Sequence, residues 1–283
     1  MQHERVSSDI HVFTSELYAQ VKAGLIVTDE GCILLDTLPF PEETIQIVDY
    51  VRNYCPGGVQ QIVFTHHHAD HTYGACQFPQ TTVVSHALTR AYLIEKGLDA
   101  LAEAKSQTNE LADVELVLPT VVFDQGELTL HVGKKTVNLI HSPGHTPDSI
   151  MAYVVEDKVL FAADTLLPVP TIFDGDLDTL IRSLRQIKNL TIESLVQGHG
   201  GVILRGEVAS NVDQSVAYLE RIRDLTSKAI AEGQPRDSLL EIDIESCGLS
   251  RIPLNGLVQQ LHTANLLALY DQMTKVTDES ATA

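Results

Sequence analysis

The stretch Thr65-His66-His67-His68-Ala69-Asp70-His71-Thr72 is the most informative part of this sequence of 283 residues. It places four metal-binding side chains within six residues, and imidazole and carboxylate groups together suit zinc, iron and related first-row metals. The apolar run Gln61-Ile62-Val63-Phe64 before it is typical of a buried strand. A ligand cluster at the end of a buried strand predicts an active site.

The spacing within this stretch indicates which side chains share a face. Side chains in extended backbone alternate between two faces, so His66, His68 and Asp70 are expected on one face. His67 is expected on the opposite face and is not predicted to be a ligand. His71 joins the set only where the backbone turns, and Gly74 just downstream permits a turn or a helix start.

Three further polar residues each follow a predicted strand. His145 lies in Ser142-Pro143-Gly144-His145-Thr146-Pro147, Asp164 follows Phe161-Ala162-Ala163, and His199 is flanked by glycines. Glycines beside the two histidines let the backbone approach a crowded centre. We therefore expect these side chains to converge at one edge of a sheet.

The rest of the chain alternates strand and helix patterns. Predicted strands cover residues 23–28, 32–36, 61–65, 81–85, 120–123, 128–132, 136–141, 150–155, 159–163 and 194–197. Predicted helices cover residues 41–54, 87–107, 177–188 and, with a break near 232–235, most of the chain from residue 211 onward. This mixture without a linker predicts an α/β catalytic domain over residues 1–210 and a helical C-terminal extension over residues 211–283.

Composition limits the classes of partner. The net charge of −19 and the absence of a basic patch argue against nucleic-acid binding. No apolar run reaches the roughly 18 residues of a transmembrane helix, and the first residues lack the apolar core of a signal peptide. We therefore expect a cytoplasmic protein that acts on a small molecule and does not bind a membrane.

The four cysteines are widely spaced and form no C-x-x-C motif. This spacing predicts free thiols in a reducing cytoplasm. Cys76 lies close to the histidine-rich stretch, so a role as a metal ligand is a stronger alternative for it than for the other cysteines. The others are Cys32, Cys55 and Cys247.

The ordered series of Asp36, the H-x-H-x-D-H stretch, His145, Asp164 and His199 resembles the five ordered motifs of the metallo-β-lactamase superfamily, over roughly residues 20–205. The resemblance implies a four-layer αββα sandwich, in which two mixed sheets pack between helices. It also implies a metal centre at one edge of the sheets.

The resemblance further implies roles for individual residues. One metal would be held by His66, His68 and His145, a second by Asp70, His71 and His199, and Asp164 would bridge both; Asp36 would support the ligand loop. The implied cofactor is zinc, two ions per chain, with iron or manganese as alternatives. A metal lowers the pKa of bound water from about 15.7 towards 7. Asp70 is the expected catalytic residue, orienting the hydroxide or moving a proton to the leaving group.

The bridging carboxylate narrows the resemblance to hydrolases of the glyoxalase II and lactonase type. We expect a metal-dependent hydrolase of a small ester, thioester or lactone. Leu166-Leu167-Pro168 follows Asp164 where lactonases often carry a tyrosine. One alternative is a mononuclear iron oxygenase of the persulfide dioxygenase type. A second is a binding or scaffold protein, a class that often loses ligands, whereas all seven are present here.

Residues near these motifs have less specific interpretations. Tyr73, Thr146 and Asp148 are either pocket-lining or structural, and we expect a structural role. The segment 168–178 forms either a pocket rim or a packed surface loop. The apolar spacing over residues 254–273 favours a helix that covers the core or forms a homodimer contact.

Overall fold

The computed structural model describes the backbone of residues 1–281 and the side chains of residues 1–275. Thirteen strands within this part of the chain form two sheets. The first sheet has seven strands in sequential order: β1 (Gln2–Arg5), β2 (Ile10–Thr14), β3 (Lys22–Thr28), β4 (Gly31–Leu35), β5 (Val59–Val63), β6 (Thr82–His86) and β7 (Val121–Phe123). Its first four strands are antiparallel, and β4 to β7 are parallel.

The second sheet has six strands in the order β13-β12-β11-β10-β9-β8. Only β11 and β12 pair in parallel; the other neighbours are antiparallel. The strands are β8 (Glu127–Val132), β9 (Lys135–His141), β10 (Ile150–Val154), β11 (Val159–Ala163), β12 (Ser194–Gln197) and β13 (Val202–Leu204).

Helices cover the outer faces of both sheets. The α-helices are α1 (Pro41–Tyr54), α2 (Ala69–Thr72), α3 (Ala87–Tyr92), α4 (Leu98–Gln107), α5 (Leu177–Ile187), α6 (Arg205–Ala231) and α7 (Val258–Ala281). A π-helical turn over Leu93–Gly97 joins α3 to α4, so residues 87–107 are continuously helical, as the sequence predicts. Proline in the first turn of α1 suits a position whose N–H has no helical partner. None of the described helices is long and apolar enough to cross a membrane.

Alternating side chains on the strands build three apolar layers. Ile33 and Leu35 on β4 lie in the core between the two sheets, whereas Leu34 lies in the core between the first sheet and α1. On β11, Phe161 lies between the sheets and Leu160 packs towards the second helical layer. This period of two places apolar residues on both faces of each sheet. The arrangement confirms the predicted αββα sandwich.

The C-terminal helices complete the outer layer of the second sheet. Leu219 of α6 and Leu266 and Leu269 of α7 lie in the same apolar cluster as α5, which supports the core-covering role of the C-terminal segment. Helix α6 begins at Arg205 and not near residue 211, so one helix runs through the expected boundary at residue 210. The division into two domains stays a prediction.

The prediction of four free thiols is wrong for Cys32 and Cys55, which form a disulfide. Cys32 lies in β4 and Cys55 is the C-cap residue of α1. Helix α1 returns the chain to the beginning of β4, where the Cys32 N–H donates to the carbonyl of Gly58. The two Cα atoms are 6.5 Å apart, within disulfide range, although 23 residues separate the cysteines in sequence. Cys76 and Cys247 are free.

Candidate metal centre

The candidate metal centre lies at the edge where parallel strands of both sheets end. Asp36 follows β4 and His66 follows the neighbouring parallel strand β5. Asp164 and His199 stand in the same relation after β11 and β12. The carboxyl ends of parallel neighbours meet at one edge of a sheet, so this topology brings distant residues together.

The spacing of the histidine-rich stretch predicts extended backbone, but the structure shows a bend and a helical turn there. Strand β5 ends at Val63, the backbone bends, and α2 begins at Ala69 with His68 as its N-cap. Asp70 and His71 therefore lie on a helical turn, which supplies the change of direction that His71 requires. Gly74 comes after that turn; a Cβ there would collide with the Thr37 carbonyl, so the glycine permits close packing.

Three histidines form the first group of donors. The ring nitrogens of His66, His68 and His145 lie within 4.8 Å of one another. Nε2 of His145 is 3.1 Å from Nδ1 of His68 and 3.4 Å from Oδ2 of Asp164. His66 and His145 are buried and His68 is partly exposed, so the group is open on one side.

Asp70, His71 and His199 form the second group, again within 4.8 Å of one another. Oδ2 of Asp70 is 3.2 Å from Nε2 of His199 and 3.7 Å from Nε2 of His71. Oδ1 of Asp164 is 3.4 Å from Nε2 of His71, and its Oδ2 faces His145 in the first group. The two oxygens of Asp164 thus reach towards both groups.

Buried atoms at the centre lack hydrogen-bond partners. These atoms are Nε2 of His66, Nε2 of His71 and Oδ1 of Asp164. Buried polar atoms are nearly always paired, because leaving one unpaired costs about 1–3 kcal/mol. Imidazole nitrogens and carboxylate oxygens that converge without partners are the donor set of a zinc or related first-row metal site. The residues present therefore fit a metal ion.

Each of the five histidines uses its other ring nitrogen to contact a protein group. Nδ1 of His71 donates to Oδ2 of Asp36 at 2.7 Å, and Asp36 also accepts from the backbone N–H and the hydroxyl of Thr65. Asp36 is buried and does not face the centre. The remaining contacts are His66 to the Thr65 hydroxyl, His68 to Asp174, His145 to Thr171, and His199 to the carbonyl of Ala19.

The electrostatics of the centre leave its carboxylates ionised. Burial raises the pKa of Asp70, but the imidazoles of His71 and His199 outweigh it and lower the pKa below its usual value. Burial likewise opposes ionisation of Asp164, and the neighbouring His71, His199 and His145 lower its pKa well below normal. Burial lowers the pKa of His145 to about 4, so this ring is neutral at physiological pH and offers a lone pair.

A cavity of about 430 Å³ opens onto the centre. Tyr73 lines it, whereas Asp148 is buried and accepts a hydrogen bond from Nδ1 of His67 at 3.0 Å. This contact directs His67 away from both donor groups, although its ring lines the cavity. Thr146 is buried and bonds Ser149, without lining the cavity.

Sequence reasoning missed several residues that support or line the centre. Thr171 contacts His145 and Asp174 contacts His68, and both residues lie in the segment 168–178, for which the sequence allows a pocket rim or a packed surface loop. Tyr18 and Lys96 line the cavity from elements far from the motifs. The turn before β3 has left-handed backbone at Ala19 and Gln20, and no sequence signal such as glycine marks it.

Comparison with known families assigns the chain to a superfamily. A family model described as the metallo-beta-lactamase superfamily matches residues 19–199, which is more than half of the chain. This range contains every residue of the candidate centre. The chain belongs to the metallo-β-lactamase superfamily.

Individual relatives are distant. The chain is 28% identical over 203 residues to the Beta-lactamase-like protein 2 homolog of Caenorhabditis elegans, an alignment that covers 71% of this chain and 62% of that protein. It is 25% identical over 236 residues to a hydroxyacylglutathione hydrolase of Nitrobacter winogradskyi, with 81% of each covered. A metallo-beta-lactamase family protein from Thermus thermophilus has a similar fold, with a TM-score of 0.71 and 19% identity over 96% of this chain and 95% of that one.

Proposed function

We propose that this protein is a hydrolase that uses two metal ions, zinc foremost, to cleave a small ester, thioester or lactone. The observation that carries the proposal is the position of Asp164. Its Oδ1 lies 3.4 Å from Nε2 of His71, and its Oδ2 lies 3.4 Å from Nε2 of His145. One carboxylate between two sets of donors suits a pair of metal ions better than a single ion.

In this proposal each donor group would hold one ion, and Asp164 would be shared between them. The first ion would be held by His66, His68 and His145, the second by Asp70, His71 and His199. When bound, such ions lower the pKa of water, so that hydroxide is available at neutral pH, and they polarise the carbonyl that is attacked.

The protein's own groups orient the reactants. Asp70 lines the cavity and is ionised, so its carboxylate can accept a hydrogen bond from the attacking water and pass a proton to the leaving group. Asp36 and Thr171 fix the rings of His71 and His145 by accepting from their outer nitrogens. Asp164 is buried at the floor of the cavity, so its carboxylate lies where the substrate would meet the two donor groups.

Metal removal and a substrate panel test this function. We expect a chelator to abolish hydrolysis of at least one ester, thioester or lactone, and zinc to restore it. A phosphodiester serves as the negative substrate, because Lys96 is the single lysine or arginine among the residues that line the described cavity. Failure of the zinc-loaded protein to hydrolyse any acyl substrate would contradict the proposal. Oxygen uptake by a protein that holds one iron would favour the persulfide dioxygenase alternative.

A further inference from the structure

The cavity beside the candidate metal centre has walls of a different chemistry from its floor. The floor consists of candidate ligands, among them His68, Asp70 and Asp164. Most of the walls come from three segments that carry no motif residue: the helical residues 92–100, the loop 167–174 and the C-terminal residues 254–261. These walls can therefore determine which substrate reaches the floor.

The C-terminal wall presents a stripe of three leucines to the cavity, Leu254, Leu257 and Leu261. Leu254 lies in left-handed backbone before helix α7, and Leu261 lies in the first turn of that helix. Leu257 and Leu261 are only partly buried, although their neighbours Val258 and Leu266 are fully buried in the core. The stripe thus leaves apolar surface open to the cavity.

The other two walls are also mainly apolar. Leu93 and Ala100 contribute from the helical segment, and Leu167, Val169 and Phe173 contribute from the loop. Phe173 is 39% exposed and Val169 is fully buried, so the loop provides both the rim and the depth of the cavity.

Charge at the cavity walls is sparse. Among the residues that line the described cavity, Lys96 is the single lysine or arginine, and its ammonium group lies 5.0 Å from the centre of the Tyr92 ring. The carboxylate of Asp174 contacts Nε2 of His68, which occupies one of its oxygens. Such walls favour an uncharged apolar group over a polyanionic one.

We propose that these walls bind an apolar chain of the substrate, so that the preferred substrates are esters or thioesters with a medium-length alkyl group. The proposal rests on the hydrolase function proposed above. A cavity of 430 Å³ has room for roughly a dozen non-hydrogen atoms, given about 30 Å³ for each group the size of water. In the reaction a C–O bond forms to the carbonyl carbon and the bond to the leaving sulfur or oxygen breaks. One proton of water goes to that leaving atom and the acid is released.

Binding of neutral alkanols tests the apolar site without relying on hydrolysis. We expect the Kd of the zinc-loaded protein for 1-alkanols, measured by calorimetry from butanol to decanol, to fall about fourfold per methylene. The heat-capacity change should become more negative with chain length. Leu257→Trp should weaken decanol binding at least tenfold. The matched change Leu98→Trp, at a position that is 67% exposed and outside the cavity, should not.

Two ester series then identify which end of the substrate carries the chain. One series lengthens the acyl group with a short alcohol, and the other lengthens the alcohol with an acetyl group. We expect kcat/KM to rise with length in one series, by about fourfold per methylene, and to fall once the cavity is filled. The proposal of an apolar site would be overturned if alkanol affinity did not depend on chain length. It would also be overturned if the two tryptophan variants lost decanol affinity equally. Length-dependent alkanol binding without hydrolysis in either series would support the site and contradict the hydrolase function.

Discussion

Each candidate ligand histidine is oriented by a contact on its outer ring nitrogen. The carbonyl of Ala19 can only accept, so the outer nitrogen of His199 carries a proton, and the carboxylates of Asp36 and Asp174 accept from the outer nitrogens of His71 and His68. The inner nitrogens face the centre. Burial lowers the pKa of His71 and of His199, but the carboxylates of Asp164 and Asp70 outweigh it and raise the pKa of both rings. At the closest pair, Nδ1 of His68 and Nε2 of His145 are 3.1 Å apart, so a proton or a metal ion between them would offset the repulsion of two lone pairs.

Removing the carboxylate behind His71 should weaken metal binding without emptying the centre. In Asp36→Ala, the ring of His71 loses the acceptor at 2.7 Å that fixes its orientation and tautomer. We expect zinc affinity, measured by competition with a chelator, to fall 10- to 100-fold. Asp49→Ala is the control, because Asp49 lies on the exposed side of α1. Unchanged affinity in Asp36→Ala would show that Asp36 does not position His71.

Neighbouring histidines in the same stretch should respond differently to substitution. His68→Ala removes a donor of the first group and should lose metal and activity together. His67→Ala removes the contact with Asp148 and the ring contacts with His68 and Tyr92, but no member of either donor group, so it should keep the metal content of the unchanged protein. The measurement is metal per chain by elemental analysis. Equal metal loss in both variants would mean that His67 belongs to the ligand set.

At the scale of elements, helix α7 is connected to the centre through one loop. Asn265 on α7 accepts from the N–H of Ile172 at 3.0 Å and donates to the carbonyl of Pro170 at 2.7 Å. Thr171, between these two residues, accepts from the outer nitrogen of His145. A C-terminal helix outside the family match thus positions a candidate ligand.

Asn265→Ala should destabilise the protein and loosen this loop. The change leaves a buried N–H and a buried carbonyl without partners, and Asn265 itself is fully buried. We expect the free energy of unfolding in urea to fall by about 1–3 kcal/mol, and zinc affinity to decrease. Gln260→Ala, at an exposed position of the same helix, should change neither quantity. A stability loss without any change in zinc affinity would restrict Asn265 to a packing role.

The sequence predicts elements better than it predicts contacts between them. The apolar alternation around β4 and β11 is a local property, so those strands and the sandwich could be predicted. The contacts made by Thr171 and Asp174 depend on how a loop folds over the sheet edge, and no periodicity encodes that. The disulfide of Cys32 with Cys55 was missed for the same reason: the two residues meet only after α1 packs against the first sheet. The sequence pattern predicts a strand as far as residue 65, but β5 ends at Val63 because the chain bends there to enter α2.

At the scale of the whole molecule, a buried polar network joins the C-terminal helices. The hydroxyl of Tyr218 on α6 contacts Nδ1 of His262 on α7 at 2.9 Å, and the other ring nitrogen of His262 donates to the carbonyl of Ile242 at 3.2 Å. His262 is fully buried, and burial lowers its pKa from 6.5. The folded protein therefore favours a neutral ring at this position.

This network predicts a loss of stability at mildly acidic pH. Below pH 6.5 the unfolded chain binds a proton at His262 that the folded protein resists, so the stabilising contribution of the neutral ring is present above this pH and lost as pH falls. We expect the free energy of unfolding to drop between about pH 7 and pH 5.5, by at most about 1.4 kcal/mol per pH unit from this one group. His262→Gln, measured by urea unfolding at both pH values, should show a smaller drop. An identical drop in the variant would assign the effect to other groups.

The metal content of the purified protein and of Asp164→Asn tests whether Asp164 lies between two bound metal ions. The substitution keeps the size of the side chain and removes the charge that both donor groups face. After loading with zinc and removal of free metal, we predict about two zinc ions per chain in the unchanged protein. In Asp164→Asn we predict one or fewer, although the variant remains folded. Two tightly bound zinc ions in the variant, or a single metal ion in the unchanged protein, would contradict this account.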